Sequence, residues 1–192
     1  MELLRQQLIA YRPWNEQEER DREELLRRLD SHEDLYTRAN TAAHFTASAW
    51  VVSPDRKQVL MAYHRLYDSW AWLGGHADGE RDLLSVALRE VREESGLVQL
   101  RPVSRDIYSL EILTVNGHEK HGRYVSSHLH LNVTYLLEQT RQPRARKPDE
   151  NSRCGLVRSG GGGGCLVGAW FRERIYRKLN AKLALFSGEQ GM

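Results

Sequence analysis

Residues Gly74–Leu97 have the sequence GGHADGERDLLSVALREVREESGL, which holds the most regular helical pattern of the chain. From Leu83 to Glu94, apolar side chains recur at steps of three and four residues, and this spacing predicts an amphipathic helix with one buried face. The apolar stripe consists of Leu83, Leu84, Ala87, Leu88 and Val91. Asp82 is placed to cap the start of the helix and Gly96 to end it. The stretch therefore predicts a loop, a helix and a second loop.

The opposite face of this helix carries an acidic cluster. Glu90 and Glu94 lie one turn apart and Glu93 lies beside them, so that three carboxylates crowd one surface. Alone, such a cluster is usually a solvated helix face paired with arginines. Here a Gly74-Gly75 pair comes before the helix and allows a phosphate to approach the backbone closely. Because Mg²⁺ is typically held by a few carboxylates together with substrate phosphates, we predict a site for a divalent cation and a diphosphate.

These residues resemble the signature box of the Nudix hydrolases. That box is a Gly, five residues, a Glu, seven residues and then Arg-Glu-apolar-any-Glu-Glu-any-Gly-apolar. Its second half is complete from Arg89 to Leu97. In the first half, eight residues instead of seven separate Glu80 from Arg89, and counting from Gly75 puts Arg81 at the Glu position. The resemblance therefore assigns no metal role to Glu80.

The resemblance implies a fold and a reaction. The fold is an α/β (α+β) architecture, a Nudix-like α/β/α sandwich with a mixed sheet, here preceded by an N-terminal helix. The reaction is hydrolysis of a nucleoside diphosphate linked to another group, by water that a bound Mg²⁺ or Mn²⁺ activates. The substrate itself is not assigned, because no motif distinguishes nucleoside triphosphates, ADP-ribose, dinucleotides or non-nucleotide diphosphates.

Residue matching extends the resemblance to individual roles. The metal ligands that it implies are Glu90, Glu93 and Glu94. Arg89 would orient these glutamates through salt bridges. The loops would be shaped by Gly74, Gly75 and Gly96. Two residues are candidates for the general base, Glu90 within the box and Glu150 in the later segment Lys147-Pro148-Asp149-Glu150.

Histidines form a second group of candidate site residues. His128 and His130 alternate with apolar residues, which places both on the polar face of one strand. We interpret them, together with His76, as substrate-binding residues. The alternative is a transition-metal site, for which two histidines need a third ligand such as His76 or His118.

Periodicity elsewhere predicts two further helices and five strands. The helices are expected at 15–29 and 170–186, and the strands at 45–52, 58–63, 70–73, 107–115 and 128–137. In the last helix, one face is apolar. Its basic residues are placed largely off that face, and we interpret them as solvated rather than as a nucleic-acid surface; they are Arg172, Arg174, Lys178 and Lys182.

Length and composition limit the classes of protein to consider. With 192 residues, 40% hydrophobic residues and 28% charged residues, the chain fits one globular domain. We predict that residues 1–40 form a helical extension packed on a hydrolase domain at 41–186. The formal net charge of +2 does not indicate nucleic acid, and no apolar run is long enough to span a membrane. The expected partner is a small-molecule diphosphate, with a homodimer left open.

Two cysteines, Cys154 and Cys165, form neither a disulfide framework nor a four-ligand zinc pattern, so we expect a cytoplasmic location.

Both lie in residues 153–169, RCGLVRSGGGGGCLVGA, which resembles a flexible linker. The Nudix resemblance implies a strand end and a helix start there instead. Plausible codons translated one nucleotide later give approximately GAAWFAPEEAVAASSEP, which has that pattern. We hypothesise a compensated double frameshift, with a genuine Gly-rich loop as the alternative; the gene sequence decides between them.

Two other functions use the same fold. An isoprenoid-diphosphate isomerase needs an active-site cysteine ahead of the box, and no cysteine precedes Cys154 in this chain. A non-catalytic nucleotide-binding protein has no need of the complete Arg89–Glu94 cluster. The sequence therefore favours the hydrolase.

Overall fold

Helices and strands are combined in an α+β arrangement. The computed structural model describes residues 2–31, 33–64, 69–120, 122–139, 151–158 and 170–186. The helices are α1 (Leu3–Ala10), α2 (Glu16–Leu29), α3 (Leu83–Ser95) and α4 (Arg177–Phe186), and a π-helical segment (Phe171–Tyr176) leads into α4. The strands are β1 (Ala43–Val52), β2 (Gln58–His64), β3 (Ser69–Ala71), β4 (Leu73–His76), β5 (Leu100–Pro102), β6 (Ser109–Val115), β7 (His118–Lys120), β8 (Arg123–Val125), β9 (His128–Gln139) and β10 (Asn151–Arg158). None of the described helices has the length and apolarity that a membrane crossing requires.

Eight of the described strands form one sheet. Its main path runs β10-β2-β1-β9-β5, while β3 pairs with β2, β4 with β1 and β6 with β9. The strands predicted at 45–52 and 58–63 are present as β1 and β2, which are antiparallel with Val52 opposite Val59. Strand β9 is antiparallel to β6, with Asn132 opposite Glu111 and His130 opposite Leu113.

The chain divides into two compact units. One comprises residues 1–48, 74–87 and 105–135, and the other comprises residues 49–73, 88–104 and 136–192. In the second unit, the Tyr176 ring stacks on Trp50 and meets Trp72 edge-on, with ring centroids 5.6 and 5.7 Å apart. The predicted apolar face of the C-terminal helix is buried at Ile175, Leu179 and Leu183.

The helix α3 forms for the reasons that its sequence predicts. The Asp82 carboxylate accepts hydrogen bonds from the backbone N–H groups of Leu84 and Ser85, at 3.1 and 3.4 Å, and so caps the first turn. Four of the five residues of the apolar stripe are buried, and Leu88 is half-buried. Gly96 has φ +66°, a left-handed conformation that favours glycine and ends the helix.

Gly74 belongs to a strand, which corrects the expectation that Gly74-Gly75 is a loop. Both glycines lie in β4, which pairs with β1. A Cβ atom on Gly74 would lie 2.6 Å from the carbonyl oxygen of Ala47 and 2.5 Å from the Ser48 hydroxyl. Two backbones therefore approach so closely that only glycine fits, and this contact fixes where β4 runs before it leads into α3.

A buried hydrogen-bond network lies behind this contact. Asn132, 1% exposed, accepts hydrogen bonds from the hydroxyls of Ser48 at 2.8 Å and Thr46 at 3.0 Å. Its amide nitrogen donates to the Glu111 carboxylate at 3.0 Å, across the β6–β9 pair. The polar face predicted for β9 is therefore present, and it is fully buried at Asn132 and Thr134, where its partners are polar groups of β1 and β6.

The network extends to the N-terminal helices of the same unit. The Ser109 hydroxyl lies 2.5 Å from Glu111 Oε1 and 2.8 Å from Glu18 Oε1, and its one proton is shared between these two acceptors. Glu18 in α2 is 0% exposed and accepts hydrogen bonds from the Tyr11 hydroxyl at 2.6 Å and the Trp14 N–H at 2.7 Å. The helix predicted at 15–29 thus forms as α2, but it is not only a surface element.

Several elements differ from the sequence expectations. Helix α1 and strand β5 had no clear periodic signal. The residues between the strands predicted at 107–115 and 128–137 contain β7 and β8, which pair with each other. Lys178 and Lys182 are only 5% and 7% exposed, so the expectation that they are solvated is wrong; long aliphatic stems allow lysines to pack among apolar neighbours. The start of the Gly-rich segment lies in β10, which is antiparallel to β2, and residues 159–169 lie outside the described residues.

We expect Asn132→Asp to destabilise the protein by about 2–4 kcal/mol at pH 7, because it sets a carboxylate against Glu111 in a buried place. The introduced carboxyl would hold a proton more tightly when folded than when unfolded, so part of the loss should be recovered as the pH falls toward 5. Urea denaturation at both pH values measures this. Asn116→Asp, at an exposed position, is the control and should change little. An Asn132→Asp variant as stable as wild type at pH 7 would contradict the network's role.

Candidate active site

The predicted acidic cluster lies in the second unit, on the last two turns of α3. The Arg89 guanidinium donates to the Glu90 carboxylate, with Nη2 2.8 Å from Oε1, and its Nε lies 4.0 Å from Glu93 Oε1. The Glu90 side chain is 17% exposed, whereas that of Glu93 is 48% exposed. One guanidinium therefore contacts two of the three carboxylates, which differ in exposure.

Glu94 is held from its backbone as well. Its carboxylate oxygen Oε2 is buried, and its carbonyl oxygen accepts a hydrogen bond from the Cys154 thiol of β10 at 3.4 Å. Burial raises the pKa of Cys154 to about 11, and the nearby Glu94 charge adds to this effect. The thiol is therefore protonated at neutral pH and acts as a donor to the helix.

Two further acidic residues were considered from the sequence. Glu80 is exposed and accepts the Asp82 N–H at 2.9 Å, so the structure shows it as part of the turn before α3. Glu150, the second candidate for the general base, lies outside the described residues.

The predicted histidines gather in the first unit, with a fourth that the sequence analysis missed. His76 ends β4, His128 and His130 begin β9, and His44 lies at the start of β1. Neighbouring rings in this group have centroids 4.9 to 5.2 Å apart. We call these four residues the histidine cluster. A signal for His44 was available: His44, Thr46 and Ser48 alternate in β1 as His128, His130 and Asn132 do in β9.

Burial favours the neutral form of three of these rings. It lowers the pKa of His76 to about 4 and that of His130 to about 3, and the neighbouring histidines add to the shift. Burial likewise lowers the pKa of His44. At neutral pH these rings present uncharged nitrogen atoms, which suit hydrogen bonding or metal binding and not charge attraction to a phosphate.

Comparison with known protein families supports the resemblance of residues 74–97 to the Nudix box. The profile of the NUDIX domain matches residues 42–158, which is more than half of the chain. The chain therefore belongs to the Nudix family. A search of the curated proteins found no matching sequence.

Solved structures show the same fold. A hydrolase of the NUDIX family from Clostridium perfringens has a TM-score of 0.51 at 19% identity, over 74% of this chain and 97% of that chain. A Nudix hydrolase from M. smegmatis has a TM-score of 0.52 at 15% identity, over 74% of this chain and 86% of that chain. The predictions of a Nudix-like α+β fold with N-terminal helical structure, and of a Nudix hydrolase, are confirmed.

The contact between Cys154 and α3 generates a chemical prediction. The Cys165→Ser variant keeps only the Cys154 thiol. In the native variant, Cys154 should react with iodoacetamide at pH 8 about 100-fold more slowly than in the denatured variant, because its raised pKa leaves little thiolate. The rate should rise as the pH approaches 11. Mass spectrometry at timed intervals measures both. Equal rates in the native and denatured chains would show that the thiol is not buried against the helix.

Proposed function

We propose that this chain hydrolyses the diphosphate linkage of a nucleoside diphosphate joined to another group, with Mg²⁺ or Mn²⁺ held by Glu90, Glu93 and Glu94. The observation that carries this proposal is the Arg89-linked carboxylate cluster on α3, in a chain of the Nudix family. The fit to a hard dication rests on the donor set: three side chains on one helix face offer only carboxylate oxygens.

The partial burial of these carboxylates favours the binding of a cation. The Glu90 side chain is mostly buried and Glu94 Oε2 is fully buried, so both are partly desolvated. A desolvated carboxylate gains more from a nearby cation than an exposed one does, because water no longer screens the interaction. When bound, the ion would supply Lewis-acid activation of water and neutralise charge on the phosphoryl oxygens.

Arg89 is proposed as a positioning residue. Its guanidinium already bonds Glu90 and lies near Glu93, so it would hold two carboxylates in place and limit their mutual repulsion. Glu90 is then the candidate base on the described part of the chain, and Glu150 is the candidate from sequence. Either would accept the proton of the attacking water.

The roles proposed for the glycines rest on backbone geometry. Gly74 allows the close approach of β4 to β1, and the left-handed Gly96 ends α3 directly after the cluster. Gly75 lies between Gly74 and His76 in the same strand. His76, His128 and His130 are proposed to contact the substrate through their ring nitrogens.

The domain bounds, the partner and the cellular location are also proposed. Residues 41–186 are assigned to the hydrolase domain and residues 1–40 to a helical extension, supported by the contact of Asp21 in α2 with the Ile112 N–H of β6 at 3.0 Å. The proposed partner is a small-molecule diphosphate in the cytoplasm, because the two cysteines form no disulfide framework.

The test is a panel of diphosphates assayed with Mg²⁺, with Mn²⁺ and with chelator. The panel should include nucleoside triphosphates, ADP-ribose, dinucleoside polyphosphates and isopentenyl diphosphate. We expect metal-dependent hydrolysis of at least one nucleotide compound. Glu94→Gln should lower kcat/KM by about 100-fold or more, since it removes a charge from the proposed ligand set without changing its size.

Glu23→Gln is the matched control for this experiment. Glu23 is an exposed helix glutamate of α2 paired with Arg20, so its substitution should leave the rate within about twofold. Turnover that persists in chelator, an unimpaired Glu94→Gln variant, or isomerisation in place of hydrolysis would each contradict the proposal.

A further inference from the structure

The histidine cluster has the geometry of a nitrogen-ligand metal site. His44, His76 and His130 each present a ring nitrogen, and these three atoms all lie within 4.8 Å of one another. They come from three strands, β1, β4 and β9, of the same compact unit. Three ligands placed on a sheet are held more firmly than three on loops would be, which favours a preformed site.

The His44 ring has one nitrogen in a hydrogen bond and one buried nitrogen without a partner among the described residues. His44 is 4% exposed, and its Nδ1 lies 3.0 Å from the carbonyl oxygen of Asn40. A carbonyl only accepts, so Nδ1 carries the proton and Nε2 carries the lone pair. Across the described ranges of the chain, this buried Nε2 has no hydrogen-bond partner.

An unpartnered buried nitrogen is unfavourable unless something binds it. The Nδ1–H···O=C bond to Asn40 is also the arrangement that metal-bound histidines usually show, since it fixes the tautomer and the ring orientation. Hydrogen bonding among the histidines alone accounts for His130 but leaves His44 Nε2 unsatisfied. This observation distinguishes a ligand site from a group of ordinary core histidines.

His128 has a supporting place in the cluster. Its Nδ1–H donates to the Ser126 carbonyl at 2.8 Å, and its Nε2 lies 3.2 Å from His130 Nε2. His128 therefore contacts the His130 ring and helps to orient it. It is a positioning residue for the three-nitrogen set.

We propose that His44, His76 and His130 bind a transition-metal dication of the Zn²⁺ class, leaving one coordination position for water or for an oxygen atom of a ligand. Such ions bind imidazole nitrogens that carry a lone pair, which is the form that the Asn40 contact fixes for His44 Nε2. A set made only of imidazoles selects Zn²⁺, Cu²⁺, Ni²⁺ or Co²⁺ over Mg²⁺ or Mn²⁺, which prefer oxygen.

The site needs only a small contraction to hold zinc. Tetrahedral Zn–N distances of about 2.0–2.1 Å place the ligand nitrogens roughly 3.4 Å apart. The three nitrogens already lie within 4.8 Å of one another, so side-chain rotations would bring them closer to that separation. The carboxylate site proposed on α3 uses other residues and a harder ion.

The test measures metal binding directly on the full chain, expressed without a polyhistidine tag. After chelation and dialysis, calorimetry with Zn²⁺ should give one tight site per chain in addition to any weaker binding by the α3 carboxylates, and Co²⁺ should give the visible bands of a tetrahedral complex. His44→Asn keeps a donor for the Asn40 carbonyl but removes Nε2, and it should weaken Zn²⁺ binding about 100-fold or more. His76→Ala should do the same at a less buried position.

Two controls make the outcome decisive. His118→Ala removes a histidine of β7 that is outside the three-nitrogen set and should leave the affinity within about threefold. Glu94→Gln should also leave it unchanged, so loss of hydrolysis and loss of zinc binding are distinguished. Circular dichroism of the metal-free variants shows whether each has folded. No stoichiometric Zn²⁺ binding by the wild type, folded His44→Asn or His76→Ala that binds normally, or loss of binding in His118→Ala would overturn the proposal.

Discussion

The close contact of Gly74 with Ser48 is the constraint on which the first unit is built. There is no room for a side chain at Gly74, so β4 lies directly against the backbone of β1. Ser48 is in turn held by Asn132, and Asn132 by Glu111, all within a buried network. Such a network is stable only when every member is satisfied, which makes its geometry specific. It sets the position from which the chain continues through His76 into α3.

The two faces of α3 have different roles in the candidate site. One face is apolar and buried, and Asp82 caps its start, so the helix has one orientation in the fold. The other face then presents its carboxylates in a fixed direction, with Arg89 between Glu90 and Glu93. The histidine cluster is likewise positioned by regular structure. Alternation along β1 and β9 places His44, His128 and His130 on one face, and β4 brings His76 to them. Hard oxygen ligands and softer nitrogen ligands are thus grouped on different elements.

Sequence patterns predicted most of the features that depend on residues close together in the chain. The α3 helix, its cap at Asp82, the β1–β2 hairpin and the acidic cluster follow from periodicity and from residue types. Other features depend on contacts between distant segments, which one sequence does not show. The strand character of Gly74 depends on Ser48, and the burial of Glu18 depends on Ser109 of β6. Helix α1 is too short to show a period, and His44 was overlooked because its partners lie in two other strands.

The most direct test of the account is whether the α3 carboxylates bind a divalent ion. Mn²⁺ binding can be followed by electron paramagnetic resonance in the His44→Asn background, which removes the proposed nitrogen site. We predict that this protein binds Mn²⁺ and that Glu93→Gln and Glu94→Gln each weaken the affinity about tenfold or more, because each removes a charged oxygen ligand. Glu23→Gln should have no effect. Mn²⁺ binding that is unchanged by both α3 substitutions would contradict the assignment of the metal to this helix.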